Sequence, residues 1–157
     1  MRVLASRDAA AAWAAAERAA GRVVVFTNGV FDVLHPGHTR YLADARAQGD
    51  VLLVAVNSDR SVRAQNKGAD RPIHPERERA ELLSALACVD AVVVFDEDIP
   101  FEIVSAVQPG VLVKGADWAA DAIVGRDVVE ARGGRVVRIA LAPGYSTTSI
   151  LQRARKG

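Results

Sequence analysis

Hydrophobic residues along the chain form short continuous runs that alternate with longer segments of helical periodicity. The short runs are rich in Val, Leu and Ile, which is typical of strands buried on both faces of a sheet. The predicted strands are residues 22–28, 50–57, 90–95, 110–115 and 134–141. Ser6 is typical of a helix N-cap, Pro36 of a first helical position, and Gly49 of the position just after a helix end. The predicted helices are residues 6–20, 36–48, 75–88, 100–107, 125–132 and 146–155.

This order of elements predicts an α/β fold, a Rossmann-like doubly wound sheet of five parallel strands with helices on both faces. We expect a single domain over residues 1–157, with an N-terminal helix in 1–21 and the Rossmann-like core in 22–157. In such sheets, ligands bind beyond the carboxyl ends of the strands, near the point where the strand order reverses. Four motifs follow predicted strands at that edge, so we expect the function to lie there.

Composition and charge narrow the classes of function. Of the 157 residues, 50% are hydrophobic and 25% are charged, which is ordinary for a globular protein. The 20 basic and 19 acidic residues give a formal net charge of +1, which argues against a protein that binds nucleic acid mainly through its phosphates. No apolar run is long enough to span a bilayer. Cys88 is the only cysteine, and a free buried thiol is typical of a reducing compartment. We therefore expect a cytoplasmic protein with no nucleic-acid or membrane partner.

The first motif, GVFDVLHPGH, joins the first predicted strand to the helix that follows. His35 and His38 are three residues apart at the helix start, and Gly37 between them lets a polyphosphate approach the backbone. Two imidazoles there can donate hydrogen bonds to phosphate oxygens in a phosphoryl-transfer transition state. The alternative is that His35 caps the helix and His38 is merely exposed. Asp32 could bind a magnesium-linked group or could simply fix the turn.

The second motif is the polar loop NKGADRPI, residues 66–73, which also contains Arg71. Lys67 beside Gly68 suits a cation that folds over phosphates, and a solvated surface charge is the alternative. Arg79 lies inside the next predicted helix. There an ion pair with Glu76 is the alternative to a ligand contact. This motif is a weaker signal than the histidine pair.

The third motif is VKGADW, residues 113–118, at the end of the fourth predicted strand. Lys114 at the carboxyl edge of a strand is poorly placed for core packing, which favours a ligand contact. Gly115 would let a base or a sugar approach the backbone. Trp118 could stack on a base or cover the core, and the core position is the more common one for Trp.

The fourth motif is PGYSTT, residues 143–148, which opens the last predicted helix. Ser146, Thr147 and Thr148 offer hydroxyl and N–H groups at a helix start, which makes a second anion site. N-capping accounts for one of these residues but hardly for all three.

No cysteine or third nearby histidine completes a ligand set around the histidine pair, so we predict no metal held by the protein.

Taken together, the motifs resemble those of the HxGH-containing nucleotidyltransferases, a superfamily that includes cytidylyltransferases and pantetheine-phosphate adenylyltransferase. The similar stretches cover most of residues 22–151, and as a whole they look most like the adenylyltransferases that form ADP-heptose. The resemblance implies transfer of AMP from ATP, with Mg²⁺, to D-glycero-β-D-manno-heptose 1-phosphate for lipopolysaccharide core or related glycan synthesis. Many relatives are fused to a sugar kinase. The 157 residues leave no room for that kinase, so a free-standing version is expected here. Relatives are often dimers, which makes a homodimer an expected assembly.

The resemblance also implies roles for individual residues. The catalytic residues would be His35, His38, Lys67 and Arg79. The nucleotide would contact Thr27, Asn28, Gly29, Val30, Phe31, Asp32, Gly37, Lys114, Gly115, Asp117, Trp118, Tyr145, Ser146, Thr147 and Thr148. The sugar phosphate would contact Asp32, Lys67 and Arg71.

Two departures from the family pattern bear on the substrate. Val30 stands where relatives commonly carry Cys or Thr, so a side-chain hydrogen bond from that position is lost. Glycerol-phosphate cytidylyltransferases carry an arginine just before their last motif, whereas LAPGYSTT has no basic residue, which favours ATP and a sugar phosphate. The alternatives are a cytidylyltransferase for an alcohol phosphate, an FAD synthetase, and a non-catalytic nucleotide-binding module on the same fold.

Overall fold

The computed structural model describes residues 2–65, 71–140 and 144–156. Within these ranges the strands are β1 (Val3–Leu4), β2 (Val24–Gly29), β3 (Val51–Asn57), β4 (Ala91–Phe95), β5 (Val111–Gly115) and β6 (Arg135–Ile139). The helices are α1 (Arg7–Ala19), α2 (Pro36–Arg46), α3 (Asp59–Ala64), α4 (Glu76–Ser84), α5 (Phe101–Val107), α6 (Arg126–Glu130) and α7 (Thr147–Lys156), with a 3-10 turn at Ala120–Ala122.

The strands form one parallel sheet in the order β1-β4-β3-β2-β5-β6. The α/β class and the parallel sheet agree with the sequence prediction, but the predicted number of five strands is wrong. The sixth strand is β1, where Val3 pairs with Val92 and Leu4 with Val93. Two residues are too few to show a hydrophobic period, and their pairing depends on a distant strand. β2 lies between β3 and β5, so the order of the strands reverses at β2.

The sheet separates two layers of hydrophobic packing. On one face, α1, α5 and α6 contribute Trp13, Ile103 and Val129 to the core. On the other face, α2 and α4 contribute Leu42 and Leu83. Helices therefore cover both faces, as predicted. Every residue of β3 is buried, which explains why its sequence is a continuous apolar run rather than an alternating one.

The helix boundaries follow capping interactions, and one helix was missed by the sequence prediction. The Ser6 hydroxyl accepts a hydrogen bond from the Ala9 N–H at 3.1 Å and caps α1, as expected. No helix was predicted between the strand at 50–57 and the helix at 75–88, but the structure has α3 there. The Ser58 hydroxyl caps α3 by accepting from the Ser61 N–H at 3.0 Å. This six-residue helix is mostly polar and has no apolar period long enough to recognise.

None of the described helices combines the length and the apolarity needed to cross a bilayer.

Candidate active site

The predicted site residues that the structure describes lie around the carboxyl ends of β2 and β5, where the strand order reverses. The two strands are hydrogen-bonded neighbours. Asn28 near the end of β2 and Lys114 near the end of β5 face each other, and the Lys114 Nζ donates a hydrogen bond to the Asn28 Oδ1. The first and third sequence motifs, far apart along the chain, are therefore joined directly at this edge.

Four aromatic rings in the site form a row, which we call the ring column. The imidazoles of His35 and His38 stack with centroids 3.7 Å apart and planes inclined by 18°. Phe31 meets His38 edge-on at 5.2 Å, and Tyr145 stacks beyond His35 at 6.2 Å. The first and fourth motifs thus pack against each other through their rings.

The start of α2 holds the two histidines by backbone contacts. His35 is the N-cap, and its Nδ1 accepts a hydrogen bond from the His38 N–H at 3.3 Å. The capping interaction therefore occurs, but it orients His35 toward His38 rather than away from the site. Pro36 occupies the first helical turn, where a missing N–H costs nothing. A Cβ on Gly37 would lie 3.0 Å from both the His35 ring and the Tyr145 Cβ, so a larger residue there would force these neighbours to shift.

Phe31 is placed against His38 by an unusual backbone conformation. Its φ of 49° lies in the left-handed region, which is costly for a bulky residue. A Cβ on Gly29 would lie 2.9 Å from the Phe31 ring, so a larger residue at the end of β2 would force that ring to move. The turn after β2 is therefore a strained segment held by its packing.

Burial controls the charge of the histidine pair. It lowers the pKa of His35, and together with the neighbouring His35 charge it lowers the pKa of His38 to about 4. The Val33 carbonyl offsets only part of the fall at His38. The His38 Nδ1 is buried and has no well-aligned hydrogen-bond partner among the described residues. At neutral pH, both rings are uncharged and can each donate one hydrogen bond.

Thr27 and Tyr41 fasten α2 to β2. Their hydroxyl groups are hydrogen-bonded at 2.8 Å, and both residues are buried. Burial raises the pKa of Tyr41 to about 12, and the nearby Asp117 carboxylate adds to the rise. The Thr27 side chain faces the packing of α2 on β2 rather than open space, so a nucleotide contact from Thr27 stays a prediction. Tyr41 was not identified from the sequence, because its importance depends on a partner in another strand.

Arg79 is fully buried and connects three segments of the chain. Its guanidinium donates to the carbonyls of Val30 at 2.7 Å, Asn57 at 2.8 Å and His74 at 2.9 Å. It also forms an ion pair with Asp59 at 2.7 Å, rather than with the acidic residue at the start of its own helix that the sequence suggested. The guanidinium is thus surrounded by protein acceptors and positions the ends of β2 and β3. The predicted catalytic contact of Arg79 stays a prediction.

The carboxylate of Asp32 is also hydrogen-bonded to groups of the protein. Its Oδ1 accepts from the N–H groups of Ile73 at 2.8 Å and His74 at 3.0 Å, and its Oδ2 accepts from Arg71. Burial alone would raise the pKa of Asp32, but these hydrogen bonds outweigh burial and lower it. Of the two roles considered for Asp32, fixing the turn is the one seen here. Arg71 is likewise paired within the protein, and Lys67 lies outside the described residues.

Lys114 is a buried cation beside an exposed aromatic ring. Burial lowers the pKa of Lys114 to about 8, although the nearby Asp117 opposes the fall. The Lys114 Nζ lies 5.6 Å from the centre of the Trp118 ring. Trp118 is 49% exposed, so the expectation that it covers the core is wrong. Its exposed ring can stack on a ligand. Gly115, the residue after Lys114, ends β5.

The start of α7 brings the fourth motif to the histidines. The Ser146 hydroxyl accepts from the Ser149 N–H at 3.0 Å, as an N-cap does, while Thr147 and Thr148 form the first turn. Arg40 of α2 was not identified from the sequence. Its guanidinium carbon lies 5.5 Å from the centre of the Tyr145 ring. The spacing of three residues from Gly37 was the one available signal, because it places Arg40 on the same face of α2.

Within residues 2–65, 71–140 and 144–156, no three His, Cys, Asp or Glu side chains are grouped closely enough to hold a metal ion.

The model of the cytidylyltransferase-like family matches residues 26–153. The bifunctional protein HldE of Geotalea uraniireducens is 52% identical over 150 residues, which cover 96% of this chain and 30% of that protein. HldE of Hyphomonas neptunium is 52% identical over 140 residues, which cover 89% of this chain and 29% of that protein. The chain thus spans about 30% of the length of the curated relatives it matches.

Two solved structures are also similar. A lipopolysaccharide core biosynthesis protein from Thermoplasma volcanium has a TM-score of 0.68 and 32% identity, covering 78% of this chain and 99% of that one. Pantothenate synthetase from Thermus thermophilus has a TM-score of 0.59 at 19% identity, covering 99% of this chain and 70% of that one, and shows the fold alone. With the family model matching most of its length, the chain belongs to the cytidylyltransferase-like family of nucleotidyltransferases.

Proposed function

We propose that this protein transfers AMP from MgATP to a sugar 1-phosphate, with D-glycero-β-D-manno-heptose 1-phosphate as the first candidate, and forms ADP-heptose and pyrophosphate. The observation that carries the proposal is the stacked His35–His38 pair at the start of α2, beside the point where the strand order reverses. The similarity to bifunctional HldE proteins and to a lipopolysaccharide core biosynthesis protein supports a sugar phosphate as the acceptor.

The proposed reaction is a direct displacement. A phosphate oxygen of the sugar 1-phosphate attacks the α-phosphorus of ATP, and the bond from that phosphorus to the bridging oxygen of pyrophosphate breaks. The attacking phosphate is already a competent nucleophile, so no protein nucleophile is needed. Catalysis then consists of orientation, which can supply about 7–11 kcal/mol in favourable cases, and stabilisation of the charge that develops.

The histidine pair would supply neutral hydrogen-bond donors. Because the His35 Nδ1 accepts from the His38 N–H, the neutral His35 ring carries its proton on Nε2 and can donate from there. We assign both rings to the transferring phosphate oxygens, where donors are most effective in a site of low polarity. Mg²⁺ would arrive with ATP as part of the substrate and neutralise phosphate charge.

The remaining predicted contacts divide between the nucleoside and the phosphates. We assign the exposed Trp118 ring, with Lys114 beside it, to the nucleoside, because an aromatic ring half open to solvent can stack on a base. We assign Ser146 and its neighbours at the start of α7 to phosphate, since unpaired N–H groups there attract anions. Lys67 is proposed to close over the phosphates.

ATP and sugar phosphates are cytoplasmic metabolites, and we therefore place the reaction in the cytoplasm. We propose a homodimer as the assembly, which light scattering would test.

Release of pyrophosphate tests the proposal directly. ATP with heptose 1-phosphate should give ADP-heptose and pyrophosphate in equal amounts, whereas CTP with glycerol 3-phosphate should give neither. Turnover of the second pair, or of ATP with FMN, would instead assign a cytidylyltransferase or an FAD synthetase. ATP binding without pyrophosphate release for any acceptor would mean a nucleotide-binding module without catalysis.

A further inference from the structure

Arg40 packs on Tyr145, the outermost ring of the ring column on the His35 side. It lies three residues after Gly37, on the same face of α2. Its guanidinium carbon is 5.5 Å from the centre of the Tyr145 ring, and that ring stacks on His35 with centroids 6.2 Å apart. Tyr145 reaches this position because Gly37 has no side chain. The helix and the fourth motif therefore place a cation on the ring that stacks on His35.

The other described cations around the β2 and β5 ends are engaged by protein groups. Arg71 is paired with Asp32 and Arg79 with Asp59. Lys114 donates to the Asn28 side chain. Arg40 differs because it is exposed, and it takes part in none of the ion pairs formed within the described ranges.

We propose that Arg40 binds a phosphate group of a bound substrate, and that Tyr145 is the positioning residue that holds its guanidinium beside His35. The inference rests on the proposed function, because both ATP and a sugar 1-phosphate carry such a group. The fork of N–H donors on a guanidinium matches two phosphate oxygens at once.

The charge of the site explains why such a cation is needed. ATP brings several negative charges to an edge where both imidazoles are uncharged, since burial lowers the pKa of each. A guanidinium stays charged at every pH that the protein tolerates. Arg40 would therefore attract and hold the anion, while His35 and His38 would donate hydrogen bonds to the reacting oxygens.

Binding by calorimetry, with and without the Arg40 charge, tests the proposal. The variants are R40A, R40K and, as a matched control, R132A. Arg132 is an exposed arginine just before the amino end of β6, whereas the site lies at the carboxyl ends of the strands. The ligands are MgATP, inorganic pyrophosphate and heptose 1-phosphate. R40A should weaken at least one of them about tenfold, the loss expected for one charge-assisted contact in a partly exposed site. R40K should recover part of the affinity, because the charge returns without the planar group.

The pattern among the ligands identifies the phosphate. Loss for MgATP and pyrophosphate assigns Arg40 to the triphosphate, and loss for heptose 1-phosphate alone assigns it to the acceptor. If R40A binds all three as tightly as the wild type, Arg40 only packs on Tyr145 and the proposal is wrong. The binding measurement is separate from turnover. A wild-type protein that binds ATP yet releases no pyrophosphate would overturn the proposed function and leave this test standing.

A double-variant cycle tests the part played by Tyr145. If the ring positions the guanidinium, R40A should weaken binding much less in a Y145A background than in the wild type. Equal effects of R40A in both backgrounds would contradict a positioning role for Tyr145. Thermal unfolding of each variant, followed by circular dichroism, separates loss of binding from loss of the fold.

Discussion

The Nδ1 of His35 accepts a hydrogen bond from the backbone N–H of His38, and the two imidazole rings stack 3.7 Å apart. One residue thus caps the helix that carries the other, so the His35 ring cannot rotate without losing the cap of α2. The arrangement also leaves the His38 Nδ1 buried without a well-aligned partner among the described residues. Such a group is costly to bury.

Replacing His38 by Ala should lower kcat by about 10²–10³-fold, the range seen when one donor to a developing oxyanion is removed. The change is measured as pyrophosphate release at saturating ATP and sugar phosphate. His74→Ala is the matched control, because its side chain is 39% exposed and, among the described residues, pairs only with Glu78. Near-normal turnover of His38→Ala would rule out a direct role for that ring.

Acid should destabilise the fold through the histidine pair. Folding lowers the pKa of His38 from its ordinary value of 6.5 to about 4, so the unfolded chain binds the proton more tightly than the folded one. Stability should therefore fall as the pH drops from about 6.5 to about 4. The melting temperature followed across this window should decline less steeply for His38→Gln than for the wild type. Parallel profiles for the two proteins would contradict the lowered pKa.

Gly37→Ala should separate activity from stability. The new Cβ would lie 3.0 Å from the His35 ring and from the Tyr145 Cβ, so the ring column must shift. Alanine is otherwise the better helix residue by about 1 kcal/mol. We expect at least a tenfold lower kcat/KM with a melting temperature close to that of the wild type. Unchanged kinetics would show that the spacing of His35 and Tyr145 does not matter.

Arg79→Met should destabilise the protein by about 3–5 kcal/mol, because it leaves a carboxylate and buried carbonyl groups without their donor. The free energy of unfolding in urea measures the effect. Arg77→Met, an exposed position on the same helix, should change it by less than about 0.5 kcal/mol. Similar values for the two variants would mean that the Arg79 contacts contribute little.

Trp118 should report nucleotide binding. The chain has two tryptophans, and Trp13 is buried while Trp118 is 49% exposed. If a base stacks on Trp118, ATP should quench the tryptophan emission of the wild type but not that of Trp118→Phe. Quenching that persists in Trp118→Phe would place the base elsewhere.

The continuous apolar runs predicted five strands, and the structure has each of them within one or two residues, because burial on both faces leaves a strong local signal. β1 was missed because two residues are too short for a recognisable apolar run, and they form a strand only by pairing with β4. The histidine motif could be recognised because its spacing is local. The burial of Arg79 could not, since it depends on the carbonyls of Val30 and Asn57. Arg40 escaped notice for the same reason, as its partner lies in the fourth motif.

The hydroxyl pair of Thr27 and Tyr41 has a thermodynamic consequence for the site. It anchors the helix that carries both histidines to the central strand, and both residues of the pair are buried. The entropy lost in ordering the two imidazoles is therefore lost when the chain folds, before any nucleotide arrives. A preorganised turn of this kind has little reorganisation left to undergo at the transition state, and there fixed dipoles are most effective.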